Sequence, residues 1–285
     1  MLRSLFAGIS GLRTNQTMLD VTGNNIANAN TIGYKSSNTV FSDTLSQMLT
    51  GPAGANAGQG GTNPIQIGLG VQLAATNTNF TQGSNQTTGG PTDLMISGDG
   101  FFVVRSGPEQ LYTRAGAFTW DESGDLVTPT GARVQGYRLD AAGDPVGGMV
   151  NLNRNVTAGL TPALPAGATM TGYSIGSDGK LVGSFSDGVN REVAQLAIAD
   201  FDNPMGLVKV GNTSYRESAN SGAADIGVPS EGGNGSIVAG ALEMSNVDLA
   251  AEFTNLILAQ RGFQASSRVI TTSDSVLEDL VNLKR

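Results

Sequence analysis

Histidine and cysteine are absent from all 285 residues, and each absence removes a branch of chemistry. Without histidine the chain lacks the side chain that titrates nearest neutrality and the commonest transition-metal ligand. Without cysteine there is no thiol nucleophile, no thiolate metal site and no disulfide framework. Aromatic residues are scarce at 6%, and charged residues make up only 14%. No apolar run approaches the roughly 20 residues of a helical membrane span, so no membrane insertion is expected. The net charge of -8 argues against a nucleic-acid partner, because phosphate binding needs a basic face. Carboxylates, Ser, Thr, Tyr and Lys are all that remain for catalysis.

Glycine is plentiful instead, with 40 residues, and an apolar share of 39% in so glycine-rich a chain points to turn-rich β structure in the middle. Helical signals are confined to the ends. In the N-terminal segment Leu2, Leu5, Ile9, Leu12, Leu19 and Ile26 fall at alternating steps of three and four, with Gln16 and Gly23 occupying the missing beats, a stripe with a 3.5-residue period. Asn24, Asn25, Asn28 and Asn30 crowd together ahead of Gly33, and the helix is expected to end there. At the other end Leu242, Leu249, Leu256, Phe263, Ile270 and Leu277 recur every seven residues, flanked by a second row of Val269, Val276 and Leu283. This is a coiled-coil seam with a broadened flank. Ser245 followed by Asp248 reads as its N-terminal cap, placing the helix over 245–283.

Neither stripe is satisfied alone, since an isolated amphipathic helix is marginal in water and each exposed Leu or Ile forgoes roughly 1.5 to 3 kcal/mol of burial. The two helices therefore need each other or neighbouring chains; packing of both onto the β region is the alternative. The opening MLRSLFAGISGL sets Arg3 before an apolar patch, but Gly8, Ser10 and Gly11 interrupt it. Export, if it occurs, is then not by a cleaved signal peptide.

Three regions follow: 1–35 with 243–285 as a terminal helical domain, 36–75 as a transition carrying a Gly-rich arm, and 76–242 as a central β domain with room for a small inserted subdomain near 141–210. In the transition, Val40, Phe41, Leu45, Met48 and Leu49 give way to GPAGANAGQGGTNP, which has no periodicity and reads as an extended arm or loop. MISGDGFFVV, AFTWDESGDLVT, GARVQGYRL, YSIGSDGKLVGSFSDG and EVAQLAIADF alternate between Gly and Asp turns, the pattern of hairpins. Residues 159–170, with Pro162 and Pro165, read as a surface loop, as does 219–236. The fold class is α+β.

Candidate chemistry is thin. Gly98, Asp99 and Gly100 lack the alternating acids of a calcium loop and the Lys-Ser/Thr of a phosphate loop, leaving a tight turn. Asp121, Glu122 and Asp125 are the nearest approach to paired carboxylates, and they lie together in an expected turn. Trp120 could serve a ligand platform, yet on a strand entering a turn it reads as core. No catalytic residue, metal ligand or cofactor site is assigned. A secreted β-scaffold enzyme would need a pocket and tuned acids that the chain does not offer. A free-standing adhesin would leave both seams unexplained.

The terminal motifs carry a resemblance. LDVTGNNIANANTIGYK, residues 19–35, resembles the N-terminal signature of the bacterial flagellar rod and hook proteins through Leu19, Asp20, Asn24, Asn25, Ile26, Ala27, Asn28, Thr31, Gly33 and Lys35. GALEMSNVDLAAEFTNLILAQRGFQ, residues 240–264, is similar to the C-terminal signature of that family, and DLMISGDGFFVV with YTRAGAF to its β domain. The resemblance implies an axial flagellar subunit, exported unfolded by the flagellar type III apparatus without signal cleavage and polymerised into a hollow helical tube. It further implies that the terminal helices pair as an inner coiled coil, with Leu5, Ile9, Leu12, Leu19, Asn24, Asn25, Asn28, Leu249, Phe253, Leu256, Phe263, Ile270 and Leu277 at subunit interfaces. TLSQMLTG, QRGFQASSRVITTSD and LVNLKR most resemble hook proteins, so an extracellular hook subunit is expected. A distal rod subunit of the basal body is the alternative, since 141–210 is too short for a large outer domain. Partners would be copies of itself, the distal rod, the hook-filament junction, the hook cap and the export apparatus.

Overall fold

The computed structural model describes residues 2–54, 58, 60–140, 143–155 and 169–283, and divides them between two compact units. The first comprises 1–27, 36–79 and 247–285; the second comprises 28–35 and 80–246. The loop expected at 159–170 lies almost wholly outside the described residues, as does part of the Gly-rich tip at 51–63.

The first unit contains helix α1, Leu2–Ala27, and helix α2, Leu249–Asn282. They pair antiparallel in one register: Ser4 meets Ser273, Gly8 faces Ile270, Gly11 faces Ser266, Asn15 faces Gly262 and Asn25 meets Glu252. The glycines make the approach close. A Cβ on Gly8 would stand 3.1 Å from the Ile270 side chain, and one on Gly262 would stand 2.5 Å from Asn15 Oδ1. A glycine costs a helix interior about 1 kcal/mol against alanine, which the closer contact between the helices offsets.

α1 ends within the Asn24–Asn30 cluster, as expected, whereas α2 begins later than the spacing predicts. α1 stops at Ala27, and Asn28–Lys35 turn away through Gly33 at φ +68° to become part of the second unit. α2 starts at Leu249 with Asp248 as its cap, whose carboxylate accepts from the Ala250 and Ala251 amides. Ser245, the expected cap, is buried ahead of the helix, and Leu242 with Glu243 lies on a strand, Ala241–Glu243, of the second unit. A carboxylate at the N-cap satisfies two exposed amides and the positive helix end together.

The transition segment forms a twice-paired antiparallel ribbon. Ser37–Asp43 pairs with Val71–Thr78, and Ser46–Thr50 pairs with Ile65–Gly68, with an Ala53–Thr62 bridge nearer the tip. Its base rests on α1, where Ser10 Oγ accepts from the Val71 amide at 3.3 Å.

The second unit is built on a 13-stranded antiparallel sheet among the described residues. Its main path runs from Met170–Ile175 through Lys180–Phe185, Asn190–Leu196, Arg133–Leu139, Phe101–Ser106, Glu109–Thr113 and Ser214–Arg216 to Val208–Gly211. Strand residues alternate between two faces, so consecutive Phe101 and Phe102 feed separate cores. Phe102, Phe118, Leu126, Leu181 and Leu196 share one; Phe101, Tyr112, Phe201 and Tyr215 share the other. The described strands between 169 and 200 continue this sheet and enter these same cores. Gly98, Gly100, Gly124 and Gly179 take positive φ at the expected turns. Asp125 pairs with Arg133 at 3.1 Å and Asp121 accepts from the Asp125 amide, so these acids hold a turn together. Trp120 packs against the first core with Tyr173.

Candidate functional site

Along the paired helices the seven-residue row splits by depth. Leu256, Phe263, Ile270 and Leu277 on α2, and Leu5, Leu12 and Leu19 on α1, are half-buried. Burial they require is thus partly supplied within one chain. Ile9, Leu249 and Phe253 stay exposed, Phe253 at 51%. Phe6, Ile257, Leu258, Val269 and Val276 are exposed with them.

These exposed residues are ordered around α2. At 100° per residue, Phe253 and Ile257 form one apolar flank, while Leu258, Val269 and Val276 form another on the opposite side. Thr254, Arg261, Arg268 and Thr272 lie between the flanks on the face turned away from α1. α2 therefore presents an occupied face, two open apolar flanks and a polar stripe. On α1, Phe6, Ile9, Ser10 and Arg13 line a groove with Val71 and Leu73 of the ribbon, of about 380 Å³. The ribbon is itself apolar and open: Leu45, Met48, Leu49, Ile65 and Ile67 are all exposed, and no charged residue occurs between Asp43 and Asp93.

The asparagines of the N-terminal motif have separate fates. Asn24 is exposed and Asn28 half-buried, whereas Asn25 is buried at the base of the helix pair. Its amide donates to Ser37 O at 2.8 Å and Glu252 Oε1 at 2.9 Å, and its Oδ1 accepts from the Ser37 amide at 3.0 Å. One side chain thus ties α1 to α2 and to the first ribbon strand, all inside the first unit.

A second cluster, in the second unit, was not singled out from the sequence. Lys35, wholly buried, donates to Glu243 Oε1 at 2.6 Å and to Thr81 O at 2.7 Å. Glu243 Oε1 also accepts from the Gly83 amide, and the Glu243 carbonyl from the Gly33 amide. Arg114, also buried, holds Nη1 3.5 Å from Glu243 Oε2, donates through Nη2 to Gly98 O, and lies over the Phe101 ring. Burial pushes the Lys35 ammonium below its ordinary value, opposed by the Glu243 hydrogen bond and charge. Burial acts likewise on Arg114, against Glu243, Asp99 and Asp200. The available signal was that Lys35, Arg114 and Glu243 each sit inside one of the three recognisable motifs, flanked by residues that fold inward.

The arrangement defines a structural subunit, with open apolar surface concentrated on a helix pair and an uncharged ribbon. Three family descriptions match the chain: flagella basal body rod protein over 5–35, flagellar hook protein FlgE/F/G D1 domain over 95–183, and flagellar basal body rod FlgEFG protein C-terminal over 238–283. The flagellar basal-body rod protein FlgG of Bacillus subtilis is 46% identical over 286 residues, spanning all of both chains. The flagellar hook protein FlgE of Borreliella burgdorferi is 31% identical over 441 aligned residues, again spanning both. FlgE of Helicobacter mustelae is 47% identical over 143 residues, covering 49% of this chain and 32% of its own. The chain belongs to the flagellar hook and rod family of axial proteins, and it is a structural component of the flagellum and not an enzyme.

Proposed function

We propose that this chain is the subunit of the flagellar hook, polymerising into a hollow curved tube that transmits torque from rod to filament. The observation that carries polymerisation into a closed tube is the surface of α2. A helix with one face covered by α1 and apolar flanks on two further sides fits a ring in which each helix pair has a neighbour on either hand. The remaining stripe, with Arg261 and Arg268, faces the channel. Leu256, Phe263, Ile270 and Leu277 with Leu5, Leu12 and Leu19 form the seam inside each subunit; Ile9, Leu249 and Phe253 make contacts between subunits, with Asn24 and Asn28 at their edge. The uncharged ribbon reaches to further copies.

The hook reading draws on TLSQMLTG, QRGFQASSRVITTSD and LVNLKR, and on the segment 47% identical to a hook protein. Its neighbours are then the distal rod, the junction with the filament, the hook cap and the export apparatus. The rod reading has one specific observation in its favour, the full-length 46% identity to a rod protein of matching length. Electron microscopy of tubes assembled from the purified chain separates the two. Curved tubes able to change curvature support the hook; rigid straight tubes under all conditions refute it in favour of the rod.

A further inference from the structure

The second unit encloses more positive than negative charge at one point, and the compensating group comes from late in the chain. Lys35 and Arg114 are 0% and 3% exposed, and Glu243, which meets both, is 0% exposed. Arginine keeps its proton in any protein environment. Asp99 and Asp200 act on Arg114 as well, but Glu243 is the carboxylate in contact with both cations. Removing one partner from a buried ion pair is strongly destabilising because the remaining charge stays desolvated, whereas replacing all partners with apolar groups is often neutral.

We propose that Glu243 is a folding latch: the sheet unit closes only when this carboxylate arrives to neutralise the cations already supplied by the N-terminal motif and by the Tyr112–Phe118 segment. Any chain made or threaded amino end first presents Lys35 and Arg114 well before Glu243, so premature closure would bury both without their shared counter-ion. The latch holds the incomplete chain open and ties the three motifs into one cooperative step. It is independent of whether the tube is hook or rod.

Refolding of the full-length chain tests this, followed by the fluorescence of Trp120, the sole tryptophan and a residue packed on the core of this unit. In Glu243→Gln the side-chain shape and an acceptor for the Gly83 amide remain while the charge is lost. The latch requires folding to slow by at least about tenfold with unfolding changed by less than about threefold, the signature of an interaction already made in the transition state. The variant Lys35→Met/Arg114→Met/Glu243→Leu, which removes every charge of the cluster, should fold at close to the parent rate. If Glu243→Gln leaves folding fast and speeds unfolding, the carboxylate pairs after closure and the proposal is wrong. If the triple variant folds as slowly as Glu243→Gln, uncompensated charge is not the barrier, and the proposal is equally wrong. Should Glu243→Gln not fold at all, the triple variant still decides: recovery of folding supports the latch and failure overturns it.

Discussion

Truncating Phe253 should cripple assembly while leaving the monomer folded. Phe253 is 51% exposed near the start of α2, so about half of its surface is covered within the chain and half is left for a neighbour. A buried aromatic side chain covers about 150 to 250 Å², so half of one leaves about 100 Å² to be covered by a neighbour. At about 25 cal/mol per Å² that is about 2.5 kcal/mol per contact, of which Phe253→Ala forfeits about 2 kcal/mol once the retained Cβ is counted. At 1.4 kcal/mol per tenfold the critical concentration for polymerisation should rise about 30-fold. Pelleting of polymer across a concentration series measures that value directly, and the monomer, which loses the covered half of the side chain, should stay folded with a melting temperature lowered by about 4 to 8 °C. Leu256→Ala is the contrast, since a seam residue more fully covered by its own chain should weaken the monomer more and the contacts between subunits less. An unaltered critical concentration for Phe253→Ala would remove the flank of α2 from the subunit contacts and with it the ring described above.

Three further outcomes follow from other places in the chain. Asn25→Ala deletes three hydrogen bonds at a buried position and leaves Glu252 and the Ser37 backbone short of partners, which should cost about 2 to 3 kcal/mol; hydrogen exchange should show the bases of α1, α2 and the first ribbon strand losing protection together. Gly33→Ala places a Cβ 2.5 Å from the Ala115 amide nitrogen at φ +68°, so it should lower the melting temperature of the sheet unit by more than the exposed, positive-φ Gly131→Ala, around which the space is open. Tyr112 is pushed up to about 12, chiefly by burial, with Glu217 adding to the shift and the Gln110 hydrogen bond opposing it. The fold accommodates the neutral phenol, so stability should be intact below the ordinary tyrosine value near 10 and fall between there and 12 as the unfolded chain ionises first; denaturant titration across that range should show the midpoint declining, and a flat profile would count against the burial of Tyr112.

Much of the β unit was legible because its code is local. The turns at Gly98, Gly100, Gly124 and Gly179 follow from residues that tolerate positive φ, and the intervening runs alternate strongly enough to mark hairpins, although Asp225–Gly227, in a stretch that reads as loop, is a strand paired with Ile198–Asp200. The ribbon was half legible: GPAGANAGQGGTNP marks a tip, but the pairing of Ser46–Thr50 with Ile65–Gly68 across it depends on register, which a segment without strong alternation does not specify. The cap of α2 was misplaced because Ser245 and Asp248 are both good caps taken singly. What separates them is the chain ahead of the helix: Leu242 and Glu243 lie on a strand of the sheet unit, the Met244 amide donates to Ser84 O and the Asn246 side chain to Thr81, so Ser245 is held outside the helix. Lys35, Arg114 and Glu243 could not be joined from sequence, since nothing local marks a lysine for complete burial when its partner is contributed from the far end of the chain.

The terminal helices show what a heptad pattern determines and what it leaves open. The row Leu249, Leu256, Phe263, Ile270, Leu277 states that one side of α2 must be covered, and α1 covers most of it through Leu5, Leu12 and Leu19. The same spacing is silent on whether the cover comes from the same chain or another. The flanks answer that. Val269 and Val276 repeat at seven residues beside the seam, and with Leu258 they remain exposed after α1 has taken its place. An intrachain pair needs a single apolar face, so a second and third flank on α2 have no use in a lone subunit. On the proposed reading each helix pair is one member of a ring, which would give both flanks a cover and leave the polar stripe with Arg261 and Arg268 for the side that no neighbour covers.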